Sequence, residues 1–425
     1  MNRRGKVHEW LLFGACAFVL TEAIISMILI LDSGDPPSEG NALWRMILAV
    51  LYLGVAVILL QHYRETLLVV RRNWVLAALI LFALVSSSWS ARPPLVLQRG
   101  VAVLGTTLFG IALAVCLSLE EQLRLLSRLF RFIAVLSIGC VLLLPSYGIS
   151  DSAENHGEWR GVFSNKNGLG VAMALSILVE CQLPARSRLS KIVKYGFLLL
   201  STVLLVFSDS VTSMFALVGA LLSIQIYKFA AQRLRIPLYA IALGVLLIIA
   251  SSVTVLRLNA GGITSVLGRS SDLTGRTDIW GLVMPYIFER PVLGYGYSGF
   301  WLGITPESGA IDRVMGGVVS YSHNGFLEVL LSLGAVGLLL ALGFLWKGLR
   351  RAYSWSQRRR SSTDLWPLAF LFFFLLYNLT ECTILLQSLE WALCVATIVG
   401  TDAAMYAHEE QQEEEFLLVP AEETI

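Results

Sequence analysis

Apolar runs of about 20 residues recur along the chain, and that length is what an α-helix needs to cross the hydrocarbon core of a bilayer. Backbone in lipid must satisfy its own hydrogen bonds, so repeated runs of this kind commit the chain to a bundle of spanning helices. Of the 425 residues, 56% are hydrophobic and 15% charged, a balance foreign to water-soluble domains. The pattern predicts twelve spans: 10–31, 42–60, 74–90, 101–118, 132–148, 167–181, 195–208, 211–227, 236–255, 324–346, 365–384 and 386–406. The expected fold class is all-α, a polytopic integral membrane protein forming one domain over 1–425.

Positive charge sets the expected orientation. With the N-terminus inside, the inner segments hold 22 Lys and Arg and the outer ones 9, and Arg45 at the start of the second span completes the 32. Basic loops stay cytoplasmic, so both termini are expected in the cytoplasm. The first run follows Arg3, Arg4 and Lys6 as a signal peptide would. It is too long for a cleaved signal and no small-residue cleavage site follows, so it is expected to stay as a helix. The six cysteines lie in or beside spans, without disulfide or zinc spacing. Residues 407–425, rich in Glu, are expected to form a disordered cytoplasmic tail.

Two outer stretches depart from the apolar pattern. One is Trp159-Arg160-Gly-Val-Phe-Ser-Asn165-Lys166-Asn167-Gly168; the other is a large, partly helical periplasmic loop, 256–322, that contains Arg276 and leads into His323-Asn324. Within the loop, Ile279, Trp280, Val283, Met284, Ile287 and Phe288 recur at helical spacing, predicting an amphipathic helix from Asp278 to Arg290. Thr274 or Thr277 is the expected cap, Pro291 the stop, and Gly294-Tyr295-Gly296 a tight turn.

Nucleotide sugars and ATP are cytoplasmic, so an outward-facing enzyme needs an activated donor that crosses the membrane. Polyprenyl-diphosphate-linked sugars meet that need, and their leaving diphosphate gathers charge that fixed cations stabilise. Arginine suits the task by its planar, permanently charged fork. Arg160 and Arg276 are the candidates, against the plainer role of interfacial anchor or surface ion pair. His323 is the candidate base for the acceptor hydroxyl, since a helix N-terminus disfavours an imidazolium there. The plainer reading is a helix-capping histidine. His156 is a weaker candidate. Asn324 is placed to orient the histidine or the substrate. Glu22, Glu328, Glu381 and Glu390 lie inside expected spans. Buried charge in a membrane is costly, and Glu328 or Glu381 is expected to pair with an arginine. No Asp-x-Asp triplet or Cys/His cluster occurs, so neither metal nor cofactor is expected.

In family order, the chain carries Arg160-Gly-Val-Phe-Ser-Asn-Lys-Asn-Gly-Leu-Gly170, Thr274-Gly-Arg-Thr-Asp-Ile-Trp280, Pro291-Val-Leu-Gly-Tyr-Gly296, Ser322-His-Asn-Gly-Phe-Leu-Glu328 with Ser332-Leu-Gly334, and Asn378-Leu-Thr-Glu381. Together these resemble the O-antigen ligase and polymerase superfamily of bacterial envelope enzymes, in its exopolysaccharide-production branch. The resemblance implies a GT-C-like membrane glycosyltransferase that takes a glycan from undecaprenyl diphosphate, with inversion and without metal. Arg160 and Arg276 would hold the diphosphate, His323 would activate the acceptor, and Asn165, Lys166, Asn167, Tyr321, Asn324 and Glu381 would contact substrate. Many relatives carry a second histidine two positions before the matched one, where this chain has Tyr321. The expected partners are the lipid-linked donor, a glycan or lipid acceptor, membrane lipid and other polysaccharide-assembly proteins; nucleic acid is not expected. A ligase delivering glycan to lipid A core or protein, and a flippase for lipid-linked sugars, are the alternatives. A flippase would concentrate its charged or broken-helix features near the midplane.

Overall fold

The computed structural model of the protein describes residues 3–23, 42–151, 157–233, 272–302, 305–358 and 361–418. Among them the longer elements are all helices: α1 (Arg3–Leu20), α2 (Ala42–Gln61), α3 (Tyr63–Arg72), α4 (Trp74–Val85), α5 (Pro93–Cys116), α6 (Leu119–Leu143), α7 (Lys166–Gln182), α8 (Arg188–Phe207), α9 (Val211–Arg233), α10 (Asp272–Glu289), α11 (Pro306–Met315), α12 (Gly325–Arg358), α13 (Trp366–Tyr377) and α14 (Leu389–Leu418). The expected ninth span, 236–255, lies outside the described residues, as do loop residues 256–271, His156 and the second part of the expected first span.

Six helices among the described residues are long and apolar enough to cross a membrane: α2, α5, α6, α8, α9 and α12. Tyr63–Arg72 and Trp74–Trp89, bent by 87° at their junction, make a seventh if they form one broken span. Twelve are expected from the sequence, and each expected span within the described residues does carry a helix, but several are short. α4 and α13 have 12 residues each and α7 has 17. The shortness of α13 has a clear cause. The Asn378 side chain donates to Phe374 O and accepts from the backbone N–H groups of Thr383 and Ile384. An asparagine that satisfies backbone groups in this way offers the chain an alternative to continuing the helix, so the expected span 365–384 breaks at Asn378.

α6 starts well before the expected span 132–148, at a capping box made by Ser118 and Glu121. α10 runs from Asp272, so Thr274 and Thr277 sit inside it rather than at its start. Ile279, Val283 and Ile287 of its expected apolar face are buried, whereas Phe288 is exposed. The acidic tail, expected to be disordered, continues α14 as helix to Leu418; Glu and Gln are good helix formers, and their charge does not remove that preference.

α12 is interrupted at Gly334 (φ 62°, ψ −163°), a backbone region that only glycine enters without strain. The Pro291–Tyr295 segment fills the break: Ala335 N donates to Pro291 O, Val336 N to Val292 O, and Tyr295 N to Leu331 O. Groups freed by a broken helix are tolerated at membrane depth only when protein satisfies them. Elsewhere α14 packs along α5 and α12, α9 along α13, and α8 along α7. Far along α12 from that break, Lys347 and Arg351 each reach Asp402 of α14 at 2.9 Å. Lys347 also donates to Asn73 Oδ1, which ties the α3–α4 corner to the same carboxylate.

Candidate active site

Three chain segments meet on one buried carboxylate. α13 ends in the turn that carries Glu381, whose side chain is 7% exposed. Arg276, from the first part of α10, donates through Nη2 to Glu381 Oε1 at 2.7 Å and through Nη1 to Thr212 Oγ1 at 2.9 Å. Asn167, in the first turn of α7, donates to the same Oε1 at 2.9 Å, and Ser210 donates to Asn167 Oδ1 at 3.1 Å. On the other side, Glu381 Oε2 lies 3.7 Å from His323 Nδ1, which makes no hydrogen bond. Arg276 and His323 keep 13% and 26% of their side-chain surface exposed, so a ligand can reach both.

The backbone holds His323 in an unusual place. Its φ is +51°, a left-handed conformation that costs energy in a non-glycine residue and needs support from its surroundings. The neighbours supply it. Ser322 donates its N–H to Glu328 Oε2 and its hydroxyl to Asn324 O, and its carbonyl accepts from the Trp280 indole. Asn324 caps α12 by accepting from Phe326 N and Leu327 N, and donates to Leu379 O. Asn324 is therefore spent on the backbone, and it is Glu381 that faces the imidazole. Glu328 takes the Trp301 indole at 3.1 Å and pairs with no arginine among the described residues; of the two acids expected to do so, Glu381 is the one that does there.

The Tyr321 ring lies against His323, with centroids 4.2 Å apart. Burial, with the Glu381 carboxylate next in effect, raises the Tyr321 phenol above its ordinary range. The hydroxyl thus keeps its proton. Arg160 is held separately: its guanidinium packs over the Tyr147 ring at 4.8 Å and its Nε donates to Tyr147 O. No hydrogen bond or ion pair joins Arg160 to the Glu381 cluster, and its two terminal nitrogens have no protein partner among the described residues. Its loop is nonetheless tied to the same end of the bundle, because Trp159 stacks on Phe207 at 4.4 Å, three residues before Ser210. Of the remaining expected contacts, Asn165 caps α7 through Gly168 N and Lys166 pairs with Glu158 at 3.1 Å. Thr212 and Ser210 have no sequence signal of their own. Hydroxyls hide within apolar runs and leave no mark on hydropathy.

The site's chemistry follows from this inventory. Part of the Arg276 fork is committed to Glu381 and Thr212, and its other N–H donors remain. Arg160 offers its whole terminal edge. His323 presents a partly exposed ring with Nδ1 3.7 Å from the Glu381 carboxylate.

Two comparisons bear on this geometry. Residues 196–342 match the family described as O-Antigen ligase, a stretch that includes Arg276, Tyr321, His323 and Asn324 but not Arg160 or Glu381. Over 281 residues the chain is 28% identical to "Exopolysaccharide production protein ExoQ" of Rhizobium meliloti (strain 1021). That match covers 63% of this chain and 62% of the relative, so it spans less than two thirds of the relative's length. With the motif order and the apolar helices, these matches support a relationship to the O-antigen ligase superfamily and its exopolysaccharide-production branch.

Proposed function

We propose that the protein is a membrane glycosyltransferase acting at the outer face of the bacterial inner membrane, where it polymerises oligosaccharide repeat units carried on undecaprenyl diphosphate. The observation that carries the reading is the meeting of Arg276 and His323 on Glu381. A guanidinium for a leaving diphosphate and an imidazole for an attacking hydroxyl stand on either side of one carboxylate. In the reaction, the acceptor oxygen attacks the anomeric carbon and gives its proton to His323. The bond from that carbon to the diphosphate oxygen breaks, and the departing charge is taken up by Arg276 and Arg160. Attack opposite the leaving group inverts the anomeric centre. Tyr321, a protonated donor beside the imidazole, orients the acceptor. The sequence offers no Asp-x-Asp metal site, so these side chains are assigned the whole task.

A second reading changes only the acceptor: a ligase that moves finished chains, favoured by the description of the matching family. Deleting the gene and examining the lipid-linked intermediates separates the two. A polymerase defect leaves single repeat units on the carrier, and a ligase defect leaves long chains. Units trapped on the cytoplasmic side would indicate a flippase and end both readings. In the complemented deletion, Arg276→Lys keeps the charge but loses the fork, and severe loss of polymer at normal protein level is expected; full polymer yield would remove Arg276 from diphosphate binding.

A further inference from the structure

α7 and α8 have a second constellation at the ends opposite the candidate active site. There a cavity of about 590 Å³ opens between the first half of α6, the end of α7 and the start of α8. Its size falls within the roughly 300–1,000 Å³ of small-ligand sites. Arg124, Arg128, Arg131, Arg186 and Lys194 line it against only two carboxylates, Glu120 and Glu180, which leaves a surplus of three positive charges. α7, with 17 residues, separates this cavity from Asn167 by about 25 Å.

The cations are not interchangeable. Arg131 is fixed: Nε and Nη2 bind the two oxygens of Glu180 at 2.8 and 2.9 Å, and Glu180, 1% exposed, also accepts from Ser127 at 2.6 Å. Arg124 pairs with Glu120 at 2.6 Å, and Lys194 donates to Leu183 O at the end of α7. Arg128 and Arg186 are the ones left over. Both are exposed and neither touches an acid among the described residues; Arg128 lies near the Trp10 ring, 5.3 Å away. α8 begins at this cavity with Ser187 as its cap, adding the partial positive charge of a helix N-terminus.

What lies above the cavity identifies the kind of anion. Leu189, at the cavity wall, starts an exposed apolar line that continues through Ile192, Tyr195 and Leu199 along α8. Exposed apolar residues at helical spacing on a helix of spanning length face acyl chains. The cavity is thus a cationic pocket at the foot of a lipid-facing helix.

We infer that this pocket binds the phosphodiester headgroup of an anionic membrane phospholipid, with Arg128 and Arg186 holding the phosphate and the α8 face receiving the acyl chains. Basic pockets between helices at one membrane surface take such headgroups. On the orientation expected from the basic loops, the lipid belongs to the inner leaflet. The inference does not depend on the glycosyltransferase reading.

The test is thermal unfolding of the purified full-length protein in a neutral detergent. Short-chain phosphatidylglycerol, matched phosphatidylcholine and inorganic phosphate are added in turn. Phosphatidylglycerol is expected to raise Tm by about 3 °C or more at saturation, with phosphatidylcholine and phosphate giving no such rise. The double variant Arg128→Ala and Arg186→Ala should lose most of the rise while keeping the wild-type Tm in phosphatidylcholine. Arg276→Lys, at the other end of the bundle, should keep it. Equal shifts with the two lipids, or a shift that survives the double variant, would overturn the pocket. A shift lost in Arg276→Lys would assign the binding to the other end and overturn it too. An equal shift with inorganic phosphate would overturn the lipid as the source.

Discussion

Glu381 serves two basic groups from opposite sides, and the consequences of that are testable one residue at a time. Glu381→Gln keeps one oxygen to accept from Arg276 or Asn167 but removes the charge that faces His323 and that neutralises a guanidinium only 13% exposed. Loss of a properly placed acid–base pair costs about 10²-fold or more. Polymer in the complemented deletion strain is therefore expected to fall by that order at unchanged protein level; wild-type yield would show that the imidazole works without its carboxylate. Tyr321→Phe tests a smaller effect. The phenol stays protonated, so the variant loses the one hydrogen bond proposed to the acceptor, on the order of 1 kcal/mol, and the expected drop is about fivefold to tenfold in transfer rate; no change would leave the ring's packing on His323 as the tyrosine's whole contribution. At this scale the sequence revealed residue types but not their engagements. His323 and Glu381 were legible because a charge or imidazole at a span boundary needs an explanation, and Arg276 because a guanidinium in the outer loop suits a diphosphate. Asn324 is expected to orient the histidine or the substrate, but an asparagine just before a helix is first of all a cap, and the structure gives it that duty. Thr212 and Ser210 could not have been found by hydropathy at all.

The elements around the site are defined by where helices stop. α13 ends because the Asn378 side chain takes over the backbone hydrogen bonds that would continue it, and this turn is what delivers Glu381. α12 breaks at Gly334 to admit the chain from Pro291 to Tyr295. The two motifs Pro291–Gly296 and Ser332–Gly334, 36 residues or more apart in sequence, are thereby one structural unit, and Ser332 Oγ also accepts from Ser298 N. A Cβ at Gly334 would run into the Val292 carbonyl. Gly334→Ala is thus expected to cost about 1–3 kcal/mol in backbone strain alone, with a further penalty from the collision. The check is a lower Tm of the purified protein in detergent and less protein in the membrane; an unchanged Tm would mean the break closes without cost. Periodicity could not have shown these interruptions. A single glycine or asparagine inside a long apolar run barely changes its hydropathy, so the run reads as one span where the chain makes short helices and breaks. The start of α6 is the contrary case, since Ser118-x-x-Glu121 is a capping box visible in the letters themselves, ahead of the apolar run that begins at 132.

At the scale of the whole molecule, the polar chemistry is divided between the two ends of the bundle. Arg276, His323, Glu381 and the Arg160 loop cluster where α7 and α9 begin, whereas Arg124, Arg128, Arg131, Arg186 and Lys194 gather where α7 ends and α8 begins. The same division appears in the loop charges, 22 against 9, and the positive-inside rule gives it a direction. The end with the surplus of basic residues should face the cytoplasm, and the Glu381 end the outside. Reporter fusions test this without any assumption about the reaction. Alkaline phosphatase folds and is active only outside the cytoplasm, so a fusion after Gly316, between α11 and α12, should be active. A fusion after Ser361, between α12 and α13, should be inactive, because the single long helix α12 (34 residues) carries the chain across in between. The reverse pattern would put His323 beside cytoplasmic nucleotide sugars, remove the reason for a lipid-linked donor, and with it the proposed reaction. Equal activity at both points would instead mean that α12, bent at Gly334, enters and leaves by the same surface.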